Sequence, residues 1–107
     1  MPVYNKLVRD KIPQLIEEDG KLCSIQKLNQ LQYLQALKSK LEEEVSEYIH
    51  SGNDNDSIEE LADIVEVIYS LAKIHGKSFK EVEEFREAKF KERGGFEDKV
   101  LLVEVFD

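Results

Sequence analysis

Cysteine is almost absent from this chain: Cys23 stands alone among 107 residues. A lone thiol rules out an internal disulfide, leaves no Cys/His spacing for zinc, and suits a reducing compartment. Long apolar runs are also missing, and none approaches the roughly 18 residues that a membrane span needs. The stretch from Met1 to Lys6 carries no basic-then-apolar signal pattern, so a cytoplasmic location is expected. Positive charge is scarce as well: 15 Lys and Arg against 23 Asp and Glu give a formal net charge of -8 and a pI near 4.8. Such a balance argues against a nucleic-acid polymer or an anionic membrane as partner. It leaves room for a small phosphorylated ligand if a metal and a local basic patch offset the repulsion. No repeat or low-complexity tract breaks the chain, whose length fits one domain over residues 1–107 with a modest core. Small helical chains of this size often complete their core by oligomerising.

What is abundant is acid at helical spacing. Glu44 and Glu47 lie three apart in one helical run, and Glu60 and Asp63 lie three apart in the next. Residues three apart sit one above the other on a helix face, so each pair can aim two oxygens at one place. If the two helices face each other, four carboxylates converge, which suits Mg²⁺ or Mn²⁺ and is self-repelling without a cation. Two bland explanations compete. Glu-rich amphipathic helices are common as solvated faces, and Ser57 with Glu60 forms a capping-box pattern that would use Glu60 at a helix start.

Pro13 suits a first helical turn and Gly20 a helix end, predicting a short helix at about 12 to 19. Residues 21 to 28 alternate weakly and are read as extended. Asn29 with Gln32 caps a helix whose stripe Leu31, Leu34, Leu37, Leu41, Val45, Tyr48 and Ile49 runs to His50, with Gly52 as its stop. Glu44 borders that stripe and is expected to face the bundle interior or its rim. The loop from Ser51 to Asp56 is acidic, but a calcium loop begun at Asp54 would need glycine at Glu59 and an acid at Val65, so it is read as a turn. The helix after it is apolar nearly all round, from Leu61 to Ile74, which predicts a central position and leaves Asp63 hard to explain as surface. His50 and His75 fall where a cation complements a helix C-terminus, and neither is assigned to catalysis. Ser78 with Glu81 caps a last helix reaching about Arg93, with Phe79, Val82, Phe85 and Ala88 on its buried side. Beyond Gly94 and Gly95, the run Val100 to Phe106 has the content of a short strand or an extended arm.

Mg²⁺ held by such acids suits phosphate esters. Glu43, beside the quartet, is a candidate to hold or deprotonate a water, or else a surface partner of Lys40. Lys6, Arg9 and Lys11 crowd together near the start, and Lys89 and Arg93 lie four apart on one helix; both groups can meet phosphates. The plain alternative for the first group is surface pairing with Asp10, Glu17 and Glu18. Tyr48 and Tyr69 are candidates to stack on a base, though core packing is the simpler reading.

The pattern Glu43-Glu44-Val45-Ser46-Glu47, followed after twelve residues by Glu60-Leu61-Ala62-Asp63, resembles the all-α nucleoside triphosphate pyrophosphohydrolase superfamily, which includes MazG and phosphoribosyl-ATP pyrophosphohydrolase. The stretches from Tyr4 to Pro13, Glu59 to Tyr69 and Lys89 to Phe96 look like its MazG-like house-cleaning subgroup, and only residues 21 to 39 find no counterpart. The resemblance implies an all-α helical bundle, a homodimer or homotetramer, and hydrolysis of a nucleoside triphosphate between its α- and β-phosphates. It implies Mg²⁺ on Glu44, Glu47, Glu60 and Asp63, with Glu43 as a less certain neighbour. A damaged or non-standard nucleotide is the preferred substrate over phosphoribosyl-ATP of histidine biosynthesis. A non-catalytic helical oligomerisation module is the reading from another class.

Overall fold

The computed structural model describes residues 3–107 and consists of four α-helices, with no strand among the described residues. α1 spans Ile12–Glu18, α2 Gln30–Ile49, α3 Asp54–Ile74 and α4 Phe79–Arg93. Local chemistry sets most of these bounds. α2 and α4 each begin with a complete capping box, Asn29 with Gln32 and Ser78 with Glu81. α1 and α3 end on glycines in the left-handed region, Gly20 at φ 82° and Gly76 at φ 78°. In both, the glycine amide and the next amide close back onto the last turn: Gly20 to the Glu17 carbonyl and Lys21 to that of Ile16, then Gly76 to Lys73 and Lys77 to Ala72. His50 and His75 stand at the C-caps of α2 and α3, as their positions before Gly52 and Gly76 suggested.

α3 starts earlier than the Ser57–Glu60 pattern predicts. Asn53 is its N-cap, accepting from the Asp56 amide, so Asp54 and Asp56 complement the helix dipole and Ser57 lies inside the helix. Ser57 instead meets the Ser51 hydroxyl at 2.6 Å across the turn. The predicted acidic loop is thereby shortened to a tight reversal, and α2 and α3 run back along each other as a helical hairpin.

The hairpin is the body of the molecule. Its buried apolar residues are Leu37 on α2 with Val67 and Ala72 on α3, Leu37 being the least exposed at 3%. α4 leans on α3 at one end, where the rings of Tyr69 and Phe79 stack at 4.2 Å and 6°. Here the sequence expectation needs correcting: Phe79 and Val82 are half-buried, but Phe85 and Ala88 face solvent. α3 is likewise not enclosed within one chain, since Ile58, Leu61, Val65 and Tyr69 form an exposed line at helical spacing. Residues 21 to 28 and 100 to 107 have no regular structure, so the strand considered for Val100 to Phe106 does not form, and Phe96 is 97% exposed.

The radius of gyration is 18.3 Å, against about 13 Å for a compact domain of this length. An elongated chain with this much uncovered apolar surface points to oligomerisation. No helix among the described residues is long and apolar enough to cross a membrane.

Candidate metal centre

The site grows out of the α2 stripe. Leu37, Leu41 and Glu44 follow one another at spacings of four and three, so the face that buries Leu37 also carries Glu44 inward. Glu44 is the one buried charged residue among those described, 6% exposed. Glu47 stands one turn further on, towards solvent, and Glu60 approaches from α3. Each of the three offers a carboxylate oxygen within 4.8 Å of the other two. Because Asn53 caps α3, Glu60 is free of the capping role that its spacing from Ser57 offered.

Ionised carboxylates only accept hydrogen bonds, so three of them this close need a proton or a cation between them. Lys40 supplies part of that charge, 3.4 Å from Glu44. It does not complete it. The Oε2 atoms of Glu44 and Glu60 are both shut off from solvent and without a hydrogen-bond partner. Two orphaned hard oxygens within a cluster of three carboxylates are a donor set that fits Mg²⁺ or Mn²⁺.

The electrostatics agree. Loss of solvent, followed by the proximity of Glu47, raises the Glu44 carboxyl above its ordinary range. Glu60 is pushed up to about 7, first by loss of solvent, then by Glu47 and by the charges of Asp63 and Glu44. A carboxyl near 7 when folded and 4.5 otherwise holds a proton in the native state that the unfolded chain gives up. Stability of the metal-free protein should therefore be greatest below about pH 4.5 as far as this group is concerned, and decline as pH rises through about 7. Thermal midpoints without divalent metal should fall between pH 5 and pH 8, and added Mg²⁺ should raise the midpoint more at pH 8. A flat metal-free profile, with equal Mg²⁺ effects at both pH values, would contradict the clustering.

The other sequence candidates are distributed differently. Asp63 does not join the three: its carboxylate is 2.8 Å from Arg9, whose other nitrogen lies 3.9 Å from Glu66. Glu43 is held by Lys6 at 3.1 Å and Lys40 at 3.4 Å, and the Lys6 hydrogen bond draws its carboxyl below the usual range. In that pairing Glu43 is a poor proton acceptor. Lys6 and Arg9 thus pair with α2 and α3 acids, not with Asp10, Glu17 or Glu18. Lys11 caps α1 through its backbone and makes no ion pair with a described residue. Lys89 and Arg93 ride on the exposed part of α4 and likewise pair with no acid among the described residues. Tyr69 is engaged with Phe79, and Tyr48 is exposed near the end of α2. Lys40 and Glu66 are the participants that sequence reasoning undervalued, although each lies three residues from a named acid, Glu43 and Asp63.

Comparisons of the chain with protein-family models, with curated proteins and with solved structures gave no match. What the site can do therefore rests on its own geometry and on the motif resemblance set out above.

Proposed function

We propose that the protein is a Mg²⁺-dependent nucleotide pyrophosphohydrolase that cleaves nucleoside triphosphates between the α- and β-phosphates, acting on a damaged or otherwise non-standard nucleotide. The observation that carries the reading is the convergence of Glu44, Glu47 and Glu60 within 4.8 Å, with two solvent-free oxygens lacking any partner. When bound, Mg²⁺ neutralises phosphate oxygens and lowers the pKa of a coordinated water. The chain's own residues supply the rest. Glu44 is fixed by burial and by Lys40, so one ligand is held in place before the cation arrives. Glu47, at the solvent edge, leaves the cluster open to a ligand on that side. Lys6 and Arg9 place positive charge beside the acids, where an incoming polyphosphate needs it. Lys89 and Arg93 serve the distal phosphates through the homodimer or homotetramer that the uncovered apolar surface favours.

The direct test is incubation with Mg²⁺ and a panel of nucleoside triphosphates, standard and modified, together with phosphoribosyl-ATP. The expected products are a monophosphate and pyrophosphate. A diphosphate with orthophosphate would contradict the assigned bond, and preference for phosphoribosyl-ATP would place the chain in histidine biosynthesis. A second reading, a non-catalytic oligomerisation module, is favoured by the exposed line on α3. Absence of turnover with every member, in a protein that still self-associates, would support it.

A further inference from the structure

The segment from Tyr4 to Lys11, ahead of α1, lies across the acidic hairpin and is tied to both of its helices. Lys6 reaches Glu43 on α2, and Arg9 reaches Asp63 and Glu66 on α3. Its apolar attachment is slight: Leu7 is half-buried, whereas Val3, Tyr4 and Val8 are exposed. A groove lined by Asn5, Lys6, Leu7, Ala36, Ser39, Lys40 and Glu43 opens where it meets α2. Asn5 turns the chain there at φ 46°, in the left-handed region that asparagine tolerates better than most residues. The segment is therefore held chiefly by exposed ion pairs, which are weak and exchangeable. Two of its three basic side chains, Lys6 and Arg9, occupy acids at the margin of the carboxylate cluster.

We infer that this segment is a removable counter-ion strap: Arg9 holds Asp63 in the metal-free chain and competes with a divalent cation for it, so that cation binding and release of the strap are one coupled event. The inference rests on reading the acid cluster as a metal site. It explains why Asp63, one helical turn from Glu60, stands apart from the other three acids: its charge is already balanced. Once the strap lifts, Arg9 and Lys6 exchange a carboxylate partner for phosphate oxygens, both being hydrogen-bond donors to anionic oxygen. No covalent step is involved.

The test measures Mn²⁺ affinity by the paramagnetic resonance of the free ion in the full chain. Arg9→Ala should tighten binding about fivefold or more. Asp63→Asn should weaken it, and in the Asp63→Asn background Arg9→Ala should no longer have an effect. A gain that persists in that background would reflect only the removal of a nearby positive charge and would overturn the strap. So would an Arg9→Ala protein binding Mn²⁺ no better than wild type. A readout free of substitutions is trypsin cleavage of wild type at the Lys6–Leu7 bond, with the exposed Lys27–Leu28 bond as internal standard. Mg²⁺ should speed the first cut relative to the second, and an unchanged or slower ratio would count against release. If Mn²⁺ binds wild type and only the Arg9 effects fail, the strap alone falls. If neither wild type nor Arg9→Ala binds Mn²⁺, the metal site falls and the strap with it.

Discussion

Glu60→Gln protein freed of divalent metal should melt above wild type at pH 8, by roughly 3 °C, while its turnover of any nucleotide falls about 100-fold or more. The two effects have one cause. At pH 8 Glu60 is ionised against Glu47, Asp63 and Glu44, with one oxygen out of contact with water and unpartnered. Glutamine keeps the shape and the oxygen but removes the charge, so the metal-free fold is relieved of repulsion. Removing a ligand should cost no less than removing an outer partner of a metal site, for which losses of about 10- to 100-fold are typical. Mg²⁺ should raise the wild-type thermal midpoint and leave that of Glu60→Gln almost unchanged, because only a folded-state ligand stabilises by mass action. A metal-free variant less stable than wild type would show that Glu60 holds the fold together through its charge, and the metal reading would lose its main support.

Leu37→Ala should lower stability by about 3 kcal/mol and the midpoint by more than about 10 °C. Leu37 is the most enclosed apolar side chain described, and few others share its burden, since the buried set adds only Val67 and Ala72. The expected secondary effect is on the site. Leu37 and Glu44 are seven residues apart on the same face of α2, so a slackened contact between α2 and α3 moves Glu44 relative to Glu60. Mn²⁺ affinity of the folded variant, measured below its midpoint, should therefore drop as well. Undiminished affinity would mean that the carboxylates are positioned by something other than the hairpin contact.

Much of this arrangement is legible in the chain's own chemistry, and the failures have identifiable causes. Both complete capping boxes stand where their sequence signatures lie, because a cap is a contact between residues three apart. The inward turn of Glu44 follows from helical period alone. Ser57 with Glu60 misleads because Asn53 with Asp56 offers an equivalent cap one turn earlier, and adding a turn of helix satisfies more backbone groups. The pairing of Asp63 is invisible in the sequence because its partner Arg9 is 54 residues away, a distance at which sequence pattern carries no signal. Phe85 and Ala88 sit on the expected apolar face of α4, but no neighbour in the same chain covers that face. β-branched content in Val100 to Phe106 marks surface that can pair, and a strand needs a partner that none of the described residues presents.

The way α4 is mounted gives the molecule a built-in lever. Its base is held by the Tyr69–Phe79 stack and half-buried Val82, beside the bend at Gly76, while the helix extends about 21 Å from Phe79 to Arg93. Tilting such a rod by ten degrees about its base sweeps Arg93 through about 4 Å, roughly the difference between gripping a phosphate and missing it. Under the proposed function, whatever α4 rests against at its free end aims Arg93, and diluting the protein until that support is lost should change nucleotide affinity without altering a residue.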